Sequence, residues 1–231
     1  MSNTYSMTAP QSLIRDVARS AFAEMGSEVG DAFEDETGNL GPTPGIYPDH
    51  AAPILRLRKG GGLRLSMARW GMPSPQTVLA AKRTDPGVTN IRNTASPHWR
   101  GWLGPAHRCL VPFTSFAEID SRPGAPRNHM VWMALGPERP LAFLAGVWTE
   151  WSSVRRIKEG MITADLFGFL TCAPNGDVAL VHPKAMPIIL TTPAEWRQWL
   201  TAPTALALQL QRPLPDGMLR IVAEGTRADA A

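Results

Sequence analysis

The middle third of this sequence consists of short apolar segments separated by turn residues. CLVPFTSF (109–116) is followed by HMVWMALG (129–136), LAFLAGVWTEW (141–151) and LFGFLTCA (166–173). Segments of this length, rich in β-branched and aromatic residues, are typical of strands. No strand–helix–strand alternation, internal repeat or glycine-rich phosphate loop accompanies them, which argues against nucleotide-binding α/β folds. We therefore predict an α+β fold built as a single domain around a mostly antiparallel sheet.

Helices are predicted mainly near the two ends of the chain. Residues 9–24 have helical periodicity, and Thr8 and Gln11 stand at the spacing of a capping box. The apolar face of this helix would contain Leu13, Ile14, Val17, Ala18 and Phe22. Thr192 and Glu195 predict a second capped helix that runs through Leu200. Residues 75–83 and 97–104 each predict a short helix.

The rest of the chain is predicted as extended structure and loops. Residues 26–53 are acidic and rich in Gly and Pro, which indicates a long loop. Residues 51–58 and 62–72 alternate apolar and basic side chains and predict a β-hairpin. Residues 213–223 predict a last strand. We treat residues 1–231 as one domain, with residues 224–231 as a flexible tail.

The bulk composition limits the possible classes of protein. The 231 residues are 44% hydrophobic, enough for a substantial core. No segment of 18 apolar residues and no basic-then-apolar N-terminus is present, so we expect neither a membrane span nor secretion, and a cytoplasmic location. Cys109 and Cys172 lie in apolar sequence without metal-ligand spacing, and cysteines in a reducing compartment are usually free, so we expect no disulfide and no metal. We also expect no cofactor.

Charge is distributed unevenly along the chain. Residues 1–50 contain eight acidic and two basic side chains, whereas residues 56–108, called here the basic block, contain ten Lys or Arg and only Asp85. Such a block is either a nucleic-acid footprint or a solvated face. Trp70, Trp99 and Trp102 lie within it, and aromatic side chains beside cations are typical of single-strand binding. Most of the eight tryptophans should nevertheless belong to the core.

Several short motifs occur in a fixed order along the chain. They are RWGMP (69–73), N-x-R (90–92), RCLVP (108–112) leading to Glu118, AGVW (145–148), H-x-x-x-MPIIL (182–190) and WRQWL (196–200). In this order they resemble the SRAP family, the SOS-response-associated peptidases that recognise abasic sites in single-stranded DNA. The resemblance covers most of residues 1–201. It implies a curved, barrel-like sheet flanked by short helices, with a groove for DNA.

Three catalytic roles follow from the resemblance. It implies that Asn90 orients the N-terminal amine and the sugar, that Glu118 is the general acid and base, and that His182 stabilises or protonates the opening sugar oxygen. These residue types suit the chemistry, because ring opening needs an acid and imine formation needs successive proton transfers. Judged singly, Glu118 would more often be a solvated residue at a strand end, and His182 a hydrogen-bonded structural residue; the catalytic interpretation depends on the motifs taken together.

Four residues are predicted to bind DNA. Arg92 of the N-x-R motif is the first candidate for a phosphate contact. Trp70 and Met72 of the RWGMP motif are the predicted base-stacking or wedging surface, with Arg69 beside them. The expected partner is single-stranded DNA with abasic sites, which would associate the protein with the nucleoid. We expect a monomer with no nucleotide cofactor and no membrane contact.

The N-terminus departs from the family. The family exposes an N-terminal Cys whose amine and thiol capture the abasic aldehyde, whereas this chain opens MSNTYSMT and has Ser2 at that position. The α-amine remains a nucleophile, since such amines titrate near pH 7.7 to 8.0. Ser2 is consistent with a deliberate Cys-to-Ser change, with a natural homologue that uses only the amine, or with a binder that has lost catalysis. Two further departures are Thr4, where the family often has Arg, and Ala117, where it has a bulky aromatic residue.

Three functions stay open from the sequence. The leading hypothesis is an abasic-site processing protein with a catalytic Ser2 amine. The second is a noncatalytic single-stranded DNA-binding homologue, which the missing thiol favours. The third is a peptidase with Ser2 as nucleophile, although such serines normally follow a propeptide longer than one methionine.

Overall fold

The computed structural model describes residues 4–23 and 33–230. The strands in these ranges are β1 (Thr4–Met7), β2 (Phe33–Asp35), β3 (Thr43–Ile46), β4 (Ala51–Leu57), β5 (Leu63–Trp70), β6 (Asn90–Ile91), β7 (Arg108–Phe113), β8 (Ser115–Ile119), β9 (Met130–Ala134), β10 (Ala142–Val154), β11 (Met161–Cys172), β12 (Met186–Pro187), β13 (Ile189–Leu190) and β14 (Arg220–Glu224). The α-helices are α1 (Gln11–Phe22), α2 (Gln76–Leu79), α3 (Gly176–Ala179), α4 (Pro193–Thr201) and α5 (Thr204–Ala207), and 3₁₀ turns span Pro97–Trp102, Pro105–His107 and Leu208–Leu210.

Five strands close into a barrel. Antiparallel pairing joins β5 to β4, β4 to β7, β7 to β10 and β10 to β11. The circle closes where β11 runs parallel to β5, with Phe167 opposite Trp70. Closure removes the unpaired edges that an open sheet would expose. The predicted α+β fold with a barrel-like sheet is confirmed, with a parallel pair at the closure.

A second, antiparallel sheet has the order β14, β9, β8, β1, β3. The chain enters it directly from the barrel, because β7 ends at Phe113 and β8 begins at Ser115. The Thr114 N–H between them donates to the carbonyl of Ser6. The prediction of a single strand over residues 109–116 is therefore wrong. The break at Thr114 moves Glu118 out of the barrel sheet and into the second sheet.

The core contains a cluster of aromatic side chains between β1, β5 and β11. Tyr5 meets Trp70 edge-on with ring centroids 5.2 Å apart, and Trp70 is stacked on Phe169 at 5.1 Å. All three side chains are fully buried. Such pairs stabilise by about 0.5–1.5 kcal/mol beyond the area they bury. Complete burial also raises the pKa of Tyr5 well above its usual value.

The N-terminal helix differs from its prediction at its first turn. Helix α1 begins after Pro10, which makes no side-chain cap, and the N–H and hydroxyl of Thr8 contact Thr114 instead. The predicted Thr8 capping box is thus wrong. Ile14 and Phe22 are buried as expected, but Leu13 is 41% exposed. By contrast, the capping box at the start of α4 is confirmed.

The segment predicted as a long loop contains short strands. Within residues 26–53, β2 runs parallel to β5 and β3 pairs with β1, while residues 24–32 lie outside the described part. The Gln11 side-chain amide donates to Asp35 and Thr37, which fixes this segment on α1. The hairpin of β4 and β5 is confirmed. Short helices are present at α2 and at Pro97–Trp102, the latter as a 3₁₀ turn.

The C-terminal segment is bound to the second sheet. The predicted last strand is β14, and after it the Asp229 carboxylate is 2% exposed. This carboxylate accepts two hydrogen bonds from Arg139, at 2.7 and 2.9 Å, and one from the hydroxyl of Ser115 at 2.6 Å. Charged bonds of this kind hold the segment in place. These contacts join Asp229 to the second sheet, within the residues 224–231 for which the sequence predicted a flexible tail; the flexibility itself stays a prediction.

Candidate active site

The structure brings together Glu118 and His182, which are 64 residues apart in the sequence. The distance between His182 Nε2 and Glu118 Oε2 is 3.8 Å, and their side chains are 11% and 1% exposed. That separation exceeds a direct hydrogen bond but permits an ion pair when the imidazole is protonated. A carboxylate buried this deeply is costly unless it is paired. The solvated strand-end reading of Glu118 is therefore ruled out.

Backbone contacts explain why the two side chains meet. Glu118 lies on β8, between its neighbours β1 and β9. His182 follows α3, whose first turn is capped by the side chain of Asn175. The N–H and hydroxyl of Ser121 both donate to the carbonyl of Val181, at 2.9 and 2.8 Å. These bonds fasten the His182 turn to the end of the strand that carries Glu118.

The surroundings of His182 favour the neutral imidazole. Burial lowers the pKa of His182 below its usual value, and the nearby Lys184 charge acts in the same direction. A hydrogen bond to the backbone of Ile119 acts against both. A neutral imidazole beside a buried carboxyl group can accept a proton and return it, which is the requirement for general acid–base chemistry near neutral pH.

Asn90 is held at the entry of β6, which runs parallel to β11 with Asn90 opposite Phe169. Asn90 as a whole is 8% exposed, and its side-chain amide donates to the hydroxyl of Thr89 at 2.9 Å. The preceding residues are bound to the RWGMP motif. The Trp70 indole N–H donates to the carbonyl of Thr89, and Met72 pairs with Val88. The RWGMP motif thus positions the segment that presents Asn90.

These contacts correct the predicted base-stacking surface. Trp70 is 1% exposed and Met72 is fully buried. A base can stack only on an aromatic face that solvent reaches, and both faces of Trp70 are covered by the core. Trp70 and Met72 of the RWGMP motif therefore belong to the packed core of the barrel and do not form a surface that could contact DNA.

A buried cation, Arg155, was not predicted from the sequence. Arg155 donates to the backbone carbonyls of Gly71 and Asp85, and it lies 3.8 Å from the Asp85 carboxylate. Burial lowers the pKa of Arg155. Gly87 has φ 76°, and a Cβ there would lie 2.2 Å from Arg155 Nη1. The only sequence feature that could have indicated this close approach of Arg155 to the backbone was Gly87, a glycine between two turn segments.

The two arginines predicted to bind DNA are placed differently. Arg69 donates to Asp49 at 2.5 and 2.7 Å and lies 3.0 Å from Glu159, so its charge is already paired. Arg92 is exposed and donates to the carbonyl of Cys172 at 2.5 Å. Arg92 therefore keeps its charge available to solvent while it joins β6 to the end of β11. Arg69 is unsuited to the predicted DNA contact, whereas Arg92 stays a candidate.

Much of the basic block is neutralised by carboxylates from other segments, including the acidic N-terminal part. These ion pairs are Arg56 with Asp165, Arg58 and Arg64 with Glu34, and Arg69 with Asp49. Arg108 is fully buried and donates to the carbonyls of Trp199 and Ala202 near the end of α4. Burial lowers its pKa to about 10. Of the basic block, only the exposed cations without such partners can therefore contribute to the nucleic-acid footprint that the composition indicated.

A cleft of about 520 Å³ opens on the other face of β8. Its lining includes Thr4, Tyr47, His50, Ala117, Ile119, Asn128, Met130 and Arg227. Successive residues of a strand point to opposite faces, so Ala117 and Ile119 line this cleft while Glu118 points away from it. The cleft lies beside the candidate site without containing the Glu118–His182 pair.

Other predicted features give simpler outcomes. Ser2 lies outside the described residues, which begin at Thr4. Cys109 and Cys172 are both buried free thiols. Within the described residues, no three His, Cys, Asp or Glu side chains converge to hold a metal ion. In the same part of the chain, no helix has the length and apolar character needed to cross a bilayer.

The fold and the site define a class of protein: a closed β-barrel with a second sheet and a buried carboxylate–imidazole pair where the two meet. The family model described as SOS response associated peptidase (SRAP) matches residues 4–224, so the chain belongs to the SRAP family. This confirms the resemblance carried by the sequence motifs. No curated protein matches the chain.

Solved structures share the fold at low sequence identity. A protein from Bacteroides thetaiotaomicron matches with a TM-score of 0.66 and 18% identity, over 94% of this chain and 89% of its own. A protein from Bordetella bronchiseptica gives 0.61 and 19%, covering 94% and 97%. A phage-related protein from Bordetella bronchiseptica gives 0.57 and 19%, covering 94% and 92%. At this identity the matches establish the fold alone.

Proposed function

We propose that this chain processes abasic sites in single-stranded DNA through the α-amine of Ser2, with Glu118 and His182 as its proton-transfer groups. The observation that carries the proposal is the buried Glu118 carboxyl group 3.8 Å from the imidazole of His182. Membership of the SRAP family supports the same reading. Action on DNA would take place in the cytoplasm, at the nucleoid.

The chemistry assigns a separate task to each group. An abasic sugar exists mainly as a closed ring. As the ring opens, one of His182 and Glu118 would donate a proton to the ring oxygen while the other takes the proton of the C1 hydroxyl group, which becomes the aldehyde. The neutral amine then attacks the carbonyl carbon, and the resulting carbinolamine loses water to give an imine. Glu118 would take the proton from nitrogen and deliver one to the departing hydroxyl group, so the proton balance closes at a single side chain. Asn90 would orient the amine and the sugar.

Covalent geometry limits where the amine can react. Thr4 is opposite Ala117 on the neighbouring strand, and Ala117 immediately precedes Glu118. Two residues span at most about 7 Å, so the backbone from Thr4 to Ser2 is short. This short connection supports a reaction close to the end of β1, on the strand beside Glu118.

Ser2 changes the stability of the product. A thiol at this position would close a five-membered thiazolidine ring on the imine carbon. The Ser2 hydroxyl is a weaker nucleophile, and its oxazolidine would hydrolyse more readily. We therefore expect a reversible imine, with β-elimination at the sugar and slow strand cleavage as its outcome.

The test combines intact-mass analysis with denaturing gels, using purified protein and a single-stranded oligonucleotide that carries one abasic site. We expect removal of Met1, an adduct trapped by borohydride, and a heat-stable crosslink after Ser2→Cys. Glu118→Gln should slow trapping by about a hundredfold or more, the usual contribution of general acid–base catalysis. Glu138→Gln, which changes an exposed carboxylate, is the matched control and should react at the parent rate.

A noncatalytic DNA-binding homologue is the second candidate, and the serine at position 2 favours it. It would bind the abasic oligonucleotide without any trapped adduct. If Ser2→Cys also gives no stable adduct although Met1 is removed and DNA binds, this candidate replaces abasic-site processing.

A further inference from the structure

The surface around Trp151 is separate from the Glu118–His182 pair and from the cleft beside Thr4. Trp151 is 38% exposed and lies between two shallow clefts of about 250 and 320 Å³. Its indole meets Trp102 edge-on, with ring centroids 5.9 Å apart and planes at 90°. Trp102 thus contacts the ring on its covered part, and 38% of the surface of Trp151 stays accessible to solvent.

Two cations line the smaller of these clefts. Lys82 and Arg83 are exposed and share the cleft with Trp151. Among the described residues, neither has a carboxylate within ion-pair distance, unlike Arg69 and the arginines of β4 and β5. Their charges therefore stay available to an anionic ligand.

The carboxylates of the two clefts are placed differently. Asp85 lines the smaller cleft but is 5% exposed, and it accepts hydrogen bonds from the backbone of Ser74 and Gly87. Glu150 is exposed and lines the larger cleft together with Trp151. The exposed cations thus line one cleft and the exposed carboxylate the other, so the cleft of Lys82 and Arg83 is the one that suits an anionic chain.

We propose that Trp151, Lys82 and Arg83 form a docking surface for single-stranded DNA, with one base stacked on the indole and phosphates beside the two cations. The inference rests on the proposed function, because it identifies where the strand outside the reaction site is held. Charge complementarity selects a polyanion, and the exposed aromatic ring selects one with unstacked bases. This surface takes the role that the sequence had indicated for Trp70 and Met72.

The spacing fits a strand that extends from the reaction site. Trp151 is opposite Ala164 on β11, and Asn90 is opposite Phe169 on the same strand. These positions on β11 are five residues apart, or about 17 Å along the strand. An oligonucleotide must therefore extend beyond the abasic site to reach Trp151.

The experiment measures binding of undamaged single-stranded oligonucleotides by fluorescence anisotropy at several salt concentrations. Trp151→Ala should weaken binding about tenfold, within the range seen when a stacked aromatic is removed, whereas Trp151→Phe should retain most of it. The double variant Lys82→Ala/Arg83→Ala should lower the salt slope by about 1.4, since each phosphate contact on a single strand contributes about 0.7.

Matched controls separate this surface from general effects. Ile221→Ala removes a side chain that is 49% exposed on the second sheet, and Lys59→Ala removes an exposed cation from the turn between β4 and β5. Both should bind as the parent does. If Trp151→Ala fails to fold, the charge variant decides, because it removes no packed side chain.

Covalent capture of an abasic oligonucleotide by the Ser2→Cys protein distinguishes the two proposals. Capture at saturating oligonucleotide, together with parent-like binding by the Trp151 and charge variants, overturns the docking surface alone. Weakened binding by those variants without any capture supports the docking surface and overturns abasic-site processing. The docking surface predicts that the variants lose affinity only for oligonucleotides that extend beyond the abasic site. If they lose as much affinity for shorter oligonucleotides, the docking surface is also overturned.

Discussion

Two clusters of tryptophan and cations in this molecule have similar composition and opposite surroundings. Trp70 is stacked on Phe169, and its neighbour Arg69 is paired with Asp49 and Glu159. Trp151 is 38% exposed, and Lys82 and Arg83 beside it have no carboxylate partner among the described residues. An aromatic residue near a cation thus indicates a binding surface only when both reach solvent.

Strand pairing accounts for the difference. Trp70 lies at the end of β5 where β11 closes the barrel, so its side chain points into a space filled from all sides. Along β10, pairing with β7 ends at Val147, and Trp151 lies beyond it, where only β11 is paired. A two-stranded ribbon that leaves a barrel exposes faces that the barrel would cover. Arg155, the residue that follows the end of β10, donates a hydrogen bond to the carbonyl of Gly71, which follows Trp70.

The largest expected contrast is in stability. Trp70→Ala should lower the free energy of unfolding by about 3–5 kcal/mol, because it empties a packed aromatic site. Trp151→Ala should lower it by less than about 1 kcal/mol, as for most exposed positions. Urea unfolding followed by circular dichroism measures both. Similar losses at the two positions would show that Trp151 is structural and would weaken the comparison.

The contact between the two regions can be broken at Gly87. Alanine there needs an unfavourable positive φ and places its Cβ 2.2 Å from Arg155 Nη1, so we expect a loss of about 2 kcal/mol or more. Gly60→Ala is the control, since Gly60 also has a positive φ of 88° but nothing lies within 4 Å of a Cβ at that glycine. The same unfolding measurement applies. A neutral Gly87→Ala would mean that Arg155 moves aside without cost.

The paired state of Arg69 predicts a pH dependence. Burial alone would raise the pKa of Asp49, but hydrogen bonds from Arg69 and Arg156 lower it overall. A lowered pKa contributes stability above the unfolded value near 4, and this stability is lost as pH falls through the folded value. Arg69→Ala should therefore cost about 1 kcal/mol at pH 7 and progressively less below about pH 4. Lys82→Ala should show no such pH dependence. An Arg69→Ala cost that is the same at pH 3 and pH 7 would contradict the ion pair.

The smallest expected effect concerns Arg92, which is exposed but bonded to the carbonyl of Cys172. If its charge also meets a phosphate, Arg92→Ala should lower the salt slope of single-strand binding by about 0.7. Lys59→Ala should leave the slope unchanged. An unchanged slope for Arg92→Ala would mean that Arg92 has only a structural role, in connecting β6 to the end of β11.

The sequence predicted local structure better than long-range contacts. The β4–β5 hairpin and the capping box of α4 were correct, because a hairpin turn and a capped first turn depend on residues close in sequence. The break at Thr114 was missed, because CLVPFTSF is mostly apolar and β-prone and both of its strands are almost entirely buried. The hydrogen bonds of Asp229 to the second sheet were missed as well, because its partners Arg139 and Ser115 are at least 90 residues away in the sequence.

The sequence by itself determined the family, the α+β class and the two side chains that meet at the candidate site. Glu118 and His182 belong to motifs that can be recognised from their order along the sequence alone. Only the tertiary structure decided which aromatic and basic residues reach solvent. Trp70 is covered where β11 pairs with β5, and Arg69 is paired with Asp49 of the acidic N-terminal part. Trp151, by contrast, is partly exposed to solvent. The physical reason is that burial and charge pairing are set by partners distant in sequence, which composition and local pattern do not encode.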